Sequence, residues 1–395
     1  MKVYIGCFGS GLGHASRMLE VAGELRSRGS EVRLSSSGEV VSLIRSKGFE
    51  CNPLPLADVR YSESGEFALR QTVLDGLSIL SRTARQVRLE ARNLIRFGPD
   101  AVLSDSSLTT VVAGKLLDLP TFSVLNQLNL VSPHGSEKMR SKVLGTGVSA
   151  VMGQLWNLSD EVLLPDLPPP YTISEKNLWG SRVGKTRYVG FLSSSEEGPP
   201  DGAVVEFARS AKTKVFWPIS GPPSTRAGLV RVALACAEAL RDDYEFAVTA
   251  GSPEASHVAV RIAGGWFYGW CDIPRQYFGA CDAVVSRAGH ATISQAILYS
   301  KPSLLVPILK QPEQEGNADM ASRLGVSLSL EQSRLDPQTL RESLGELTEG
   351  VFRERAQSLG AIANSLDAKT AVVEALVSRS RHGHGVDDGA PSSDF

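Results

Sequence analysis

Short apolar runs and longer amphipathic segments alternate along this chain from end to end. Residues 2–8 are nearly continuously apolar, the pattern of a strand buried on both faces. Met18, Leu19, Ala22 and Leu25 then recur at helical spacing, and the segment closes at Gly29. Strand-like runs follow at 31–35, 99–105, 120–124, 160–165 and 187–191, and again at 214–219, 244–249, 283–285, 302–307 and 326–330. Between them lie helical patterns, among them 67–97, 204–211, 229–240, 337–348 and 351–377. Strand and helix in strict alternation predict parallel sheets covered by helices on both faces, an α/β doubly wound architecture. The series is interrupted by the acidic, proline-rich SSSEEGPPDG, so the expected division is 1–192, a linker at 193–202, 203–360, and a terminal helix at 361–378. The Gly-, Ser- and Asp-rich residues 379–395 lack core formers and are expected to be disordered.

Length and composition agree with two cores, since 395 residues exceed what one core usually serves and 42% hydrophobic with 21% charged residues is ordinary for a soluble protein. A net charge of −2 gives no global basic field for nucleic acid. The arginines between 67 and 97 (Arg70, Arg82, Arg85, Arg88, Arg92 and Arg96) read as a solvated helix face with Leu74, Leu77, Leu80 and Val87 inward, or as a basic surface for an anionic acceptor. Cys7, Cys51, Cys236, Cys271 and Cys281 show no metal-ligand spacing and read as buried thiols in a reducing compartment. The N-terminus lacks the pattern of a signal peptide, and no stretch approaches the ~20 apolar residues that span a bilayer. A cytoplasmic enzyme is expected, and peripheral contact with the inner face of the membrane stays open.

The candidate chemistry sits where strands end. After the first strand, GSGLGH brings Gly11 and Gly13 into a tight turn, but the spacing is not GxGxxG and no acidic residue closes the second strand, so a dinucleotide site is not indicated. His14 is a helix cap or a cleft residue. Asp105 lies at the rim where open α/β sheets bind ligands, or caps a helix beginning near Ser107. Asn126 and Gln127, with Asn129, reach the same rim. In the second half, Ser220, Gly221 and Arg226 follow a strand and could meet phosphate or form a simple loop. The turn Gly289-His290-Ala291-Thr292 opens a helix, whose first N–H groups have no intrahelical partner and sit at the positive end of the dipole, so it could hold a phosphate oxygen. Glu313, Gln314 and Asn317 can bond sugar hydroxyls.

The order SRxGxxT, KPxLLVPI and EQxxNA, preceded by an N-terminal GxGH, resembles the nucleotide-sugar glycosyltransferases of the GT-B fold. The similarity is strongest to the branch that contains the bacterial peptidoglycan N-acetylglucosaminyltransferase, with the natural-product and glucuronosyl transferases alike in layout. The resemblance implies two Rossmann-like domains facing a cleft, with the last helix returning to the first. It implies an inverting transfer of a hexose or N-acetylhexosamine from a UDP-sugar co-substrate to an acceptor hydroxyl, with no metal or other cofactor. In that scheme His14 is the general base and Asp105 its support, while Gly11, Gly13, Asn126 and Gln127 lie on the acceptor side. Diphosphate falls to Ser220, Gly221, Arg226, Arg287, Gly289, His290, Ala291 and Thr292. Trp270 and the Cys271 backbone face the base, and Glu313, Gln314 and Asn317 face the sugar. Gln295 stands where the branch usually carries a ribose-binding Glu. A non-hydrolysing sugar-nucleotide 2-epimerase and a non-catalytic sugar-nucleotide-binding subunit remain as alternatives; the first needs more cleft histidines than a chain with six, two of them in the tail, is expected to supply.

Overall fold

The computed structural model describes residues 1–9, 12–55, 76–127, 153–178, 184–193 and 201–380. Gly11, residues 56–66, Arg70, Leu74, Asn129, most of the expected linker and the residues from 381 onward lie outside the described residues, as do the side chains of Leu77 and Leu80.

Among the described residues the strands form two seven-stranded sheets. The first holds β1 (Lys2–Cys7), β2 (Glu31–Ser36), β3 (Cys51–Pro53), β4 (Ala101–Asp105), β5 (Thr121–Val124), β6 (Glu161–Leu164) and β7 (Thr186–Tyr188), in the order β3-β2-β1-β4-β5-β6-β7 and parallel throughout. The second holds β8 (Thr213–Pro218), β9 (Tyr244–Thr249), β10 (Val260–Ile262), β11 (Gly265–Tyr268), β12 (Ala283–Ser286), β13 (Ser303–Leu305) and β14 (Ser327–Ser329), in the order β10-β11-β9-β8-β12-β13-β14. Only the β10–β11 pair is antiparallel. The strand order reverses between β1 and β4 in one sheet and between β8 and β12 in the other. Each reversal leaves a crevice at the carboxyl ends of the strands, where such folds bind ligands.

Val3, Tyr4 and Ile5 of β1 are fully buried because helices cover both faces of the sheet. Their register sets Cys7 opposite Asp105, and Phe8 N–H donates to the Asp105 carbonyl at 3.0 Å, which fixes the end of β4 at the rim. Met18, Val21 and Leu25 of α1 (Leu12–Ser27) pack on this core with Leu103 and Phe122. Between β2 and β3 the chain forms α2 (Glu39–Ser46), an element that the sequence reading passes over; it buries Val40, Val41, Leu43 and Ile44, four apolar residues within five positions. Helix α3 (Gly76–Phe97) buries Leu94 and Phe97 and packs Val87 beside them, while Arg82, Arg85, Arg88, Arg92 and Arg96 are exposed. Both readings of these arginines place them in solvent, as the described part does. Helix α4 (Leu108–Leu116) follows β4, and α5 (Glu175–Leu178) follows β6.

Around the second sheet lie α6 (Gly202–Arg209), α7 (Pro223–Ala239), α8 (Pro274–Ala280), α9 (His290–Leu298), α10 (Pro312–Arg323), α11 (Pro337–Thr348) and α12 (Gly350–Asn364). Val215, Trp217, Phe246, Val285, Leu304, Leu340 and Leu344 make its core. The last helical stretch is broken where the sequence reading runs it on. Asp367 accepts the Thr370 N–H at 3.1 Å and so starts a new helix, α13 (Ala368–Ser380). Its Val372, Val373 and Leu376 join the first core, so α13 returns to the first lobe. Among the described residues no helix is long and apolar enough to cross a membrane.

Candidate active site

His14 and Arg17 stand one helical turn apart at the start of α1 and therefore share a face. Both reach Asp105 at the end of the neighbouring strand. His14 Nδ1 lies 2.9 Å from Asp105 Oδ1, Arg17 Nε donates to Oδ2 at 2.5 Å, and Arg17 Nη2 donates to Oδ1. Asp105 is fully buried; burial would raise its pKa, but the Arg17 guanidinium and then His14 outweigh it and hold the carboxyl down at about 2. The helix-cap reading of Asp105 fails, because Ser107 is the N-cap of α4 and both Asp105 oxygens are engaged elsewhere. Phe8 meets the His14 ring edge-on with centroids 5.5 Å apart. Beyond Arg17, its Nη1 donates to Asn126 Oδ1 at 3.0 Å, and Asn126 Nδ2 donates to Glu313 Oε1 of the second lobe at 3.0 Å. Gln127 is half-buried beside Asn126.

Across the cleft, α9 begins at Gly289, whose φ of −70° and ψ of 134° are open to any residue. No side chain caps this helix, and a Cβ placed on Gly289 would meet nothing within 4 Å. The Thr292 N–H turns back to the Gly289 carbonyl at 3.1 Å, and the space beside the Gly289 Cα is open. A cavity of about 250 Å³ lies between the lobes there. Its wall includes His290, Ala291, Thr292 and Gln295 from α9, Ser220 from the β8 exit, and Trp270 with Cys271 from the loop after β11. Gly13 and Arg17 supply the facing wall from α1. At Gly13 a Cβ would come within 3.1 Å of the Ala291 methyl, so the two lobes approach closely at this glycine. Gly221, at φ +108°, has the backbone that glycine tolerates and lets β8 turn sharply into α7.

Several expected contacts are redirected. Arg287 is 2% exposed, and its guanidinium donates to the carbonyls of Val306 and Thr225, each at 3.1 Å, and to Gln332 Oε1 at 2.8 Å. Burial lowers its pKa to about 10. Arg226, also buried, donates to the Gly251 carbonyl and lies 3.6 Å from Glu39 of the first lobe. Neither lines the cavity, because strand-end carbonyls converging at the switch point need these donors. Arg17 and Arg275 are the basic side chains on the described wall, and Arg275 pairs with Glu20 of α1.

The three residues expected at the sugar are likewise engaged within the protein. Glu313 is held by Asn126, Gln314 Oε1 accepts the Ile308 N–H at 3.0 Å, and the fully buried Asn317 donates to the Ala288 carbonyl at 3.1 Å and accepts from Asn177 at 2.9 Å. His290 sits at the expected turn, yet its ring is buried with Nε2 3.1 Å from Asp166 Oδ2 of the first lobe. Gln295 accepts the Ser193 hydroxyl at 2.7 Å. Trp270 Nε1 donates to Asp272 at 3.1 Å, and burial pushes the Cys271 thiol up to about 12, leaving it neutral. The residues that sequence reasoning overlooks are Arg17, Glu20, Asp166 and Arg275. For Arg17 a signal exists, a cation three residues after the helix-start histidine; the other three carry none without the fold.

Comparison with known proteins accords with this geometry. Residues 226–370 match the glycosyltransferase family 28 C-terminal domain, and residues 1–144 match glycosyl transferase family 1. An uncharacterized glycosyltransferase of Methanosarcina mazei is 27% identical over 394 residues, covering 95% of this chain and 98% of its own. The UDP-N-acetylglucosamine--N-acetylmuramyl-(pentapeptide) pyrophosphoryl-undecaprenol N-acetylglucosamine transferase of Methylobacterium radiotolerans is 23% identical over 350 residues, 86% of each chain. The spinosyn rhamnosyltransferase SpnG complexed with thymidine diphosphate superposes with a TM-score of 0.65 at 17% identity, covering 95% of this chain and all of that one. With two doubly wound lobes and a cleft at both switch points the chain has the GT-B fold, and each half is similar to a glycosyltransferase family.

Proposed function

We propose that the protein transfers a hexose or N-acetylhexosamine from a UDP-sugar to an acceptor hydroxyl with inversion at the anomeric carbon. The observation that carries this reading is the opposition of a histidine–carboxylate pair on one lobe to an uncapped helix start on the other. With its Nδ1 proton held by Asp105, His14 has Nε2 available to take the acceptor proton as the hydroxyl oxygen attacks the anomeric carbon. The bond from that carbon to the diphosphate oxygen breaks, and UDP leaves with the electron pair. The N–H groups at the start of α9 and the Thr292 hydroxyl meet the charge that develops on the diphosphate, which preorganised donors stabilise without rearrangement. Base catalysis of this kind supplies about 10²–10⁴-fold. The UDP-sugar enters as co-substrate, and the reading assigns no metal or further cofactor. The five buried, unpaired cysteines support a cytoplasmic setting.

The cavity wall favours transfer over 2-epimerisation. Among the described residues its carboxylate, Glu20, is paired with Arg275 and its histidine, His290, with Asp166, so neither stands ready for proton exchange at a sugar carbon. Incubation with a panel of UDP-sugars and hydroxyl acceptors tests the reading. UDP release with formation of the opposite anomer, followed by NMR, is expected; conversion of one UDP-sugar into its epimer, or binding without turnover across the panel, would overturn it.

A further inference from the structure

All three guanidinium nitrogens of Arg17 are engaged: Nε and Nη2 on Asp105, Nη1 on Asn126. Nη2 also lies 3.0 Å from His14 Nδ1, so Arg17 touches both members of the pair and is itself buried. A carboxylate can only accept and a guanidinium can only donate. His14 Nδ1 stands 2.9 Å from an acceptor, Asp105 Oδ1, and 3.0 Å from a donor, Arg17 Nη2; because Nη2 already donates to Oδ1 and the nearer group carries the full negative charge, we assign the proton to Nδ1, where it meets Nη2 as a second donor on the same oxygen. The pair of Arg17 and Asp105 is neutral as a unit. Protonating His14 at Nε2 would leave two cations sharing one buried carboxylate.

We propose that Arg17 is a positioning residue that holds Asp105 against His14 Nδ1 and, standing beside the ring, opposes protonation of Nε2. This rests on the reading of His14 as the base and adds the device that sets its basicity. Asp105 alone would do the opposite, since an unshared carboxylate draws the second proton onto an imidazole. The fork on Asp105 divides that charge, and the nearby guanidinium repels the imidazolium. The other groups facing the cluster are few. Cys7 on β1 is buried, and burial holds its thiol neutral; Phe8 presents a ring edge; Glu313 on α10 reaches the cluster only through Asn126. A lysine could supply the charge at this site but not the three directed donors.

The test is an NMR titration of the His14 imidazole in the full-length protein without substrate, alongside the pH profile of kcat/KM. In Arg17→Met the His14 pKa should rise by one unit or more, and the acid limb of kcat/KM should move up with it. Arg17→Lys should leave the titration near that of the wild type while kcat falls, because charge is kept and orientation is lost. Should Arg17→Met fail to fold with Asp105 left alone, the Asp105→Asn background removes that burden, and adding Arg17→Met there should again raise the His14 pKa. An unchanged titration in both backgrounds would overturn the assignment. If the shift is present while turnover proves independent of His14, the base reading falls and the role of Arg17 in setting the imidazole stands.

Discussion

Asn126 and Glu313 are 187 residues apart and belong to different lobes, yet a 3.0 Å hydrogen bond joins them at the cleft. Asn126 also receives Arg17, so a single side chain connects the candidate base cluster to the helix expected to face the sugar. Asn126→Ala removes both bonds and leaves a buried guanidinium donor unmet. The expected cost is about 1–3 kcal/mol, the usual penalty for an unpaired buried polar group, measured by equilibrium urea unfolding. Loss of less than a few tenths would mean that the bridge is made and broken freely.

Gly289 offers a cleaner test of the donor site. Its backbone is accessible to any residue and nothing stands near its Cβ, so Gly289→Val should fold normally and still abolish UDP binding by filling the space before the α9 N–H groups. Thr292→Ala should weaken UDP by about 1–3 kcal/mol, as for a lost bond to a charged group. Isothermal titration decides; wild-type affinity in both variants would remove α9 from the donor site.

Removing the base should separate chemistry from binding. His14→Ala is expected to lower kcat by about 10²–10⁴-fold with UDP affinity nearly intact, because it acts on a proton that moves in the transition state. Normal turnover in a folded His14→Ala protein would reduce the residue to a structural contact.

Asp105 should also leave a signature in acid stability. Its folded pKa of about 2 lies below the ordinary 3.8, so its contribution is present above the unfolded value and is lost as pH falls from about 4 toward 2. The amount is about 2 kcal/mol by linkage. Asp105→Asn should therefore unfold with a flatter pH dependence between pH 5 and 2, as followed by urea denaturation; parallel curves for the two proteins would contradict the Arg17–Asp105 pairing.

Gln295 lies on the cavity wall with its amide oxygen accepting from Ser193. A carboxylate there could hold Ser193 through one oxygen and a ribose hydroxyl through the other. Gln295→Glu should tighten UDP by about 0.5–1.5 kcal/mol, the gap between charged and neutral acceptors, and should help 2′-deoxy-UDP less. Weaker UDP binding in that variant would point to a nucleotide other than uridine as the natural donor.

Local periodicity was enough to find the central strands of both sheets and the strand ends at which ligand groups collect, because burial on two faces imposes an apolar run there; it missed β3, β10 and β11, edge or near-edge strands of three or four residues. It also placed His14 and the Gly289 turn, since a helix start is a local feature. Periodicity does not say which distant group a side chain meets. Arg287 reads as a free cation beside a phosphate turn, but its carbonyl partner on Thr225 comes from 62 residues away, brought there only when β8 and β12 pair. Arg17 goes unnoticed in the sequence because its partner Asp105 lies 88 residues away and reaches it only through β4. The sequence by itself determined the elements and the rim; the tertiary structure decided which polar groups there are consumed within the protein, because a buried donor or acceptor takes whichever partner the crossover connections deliver.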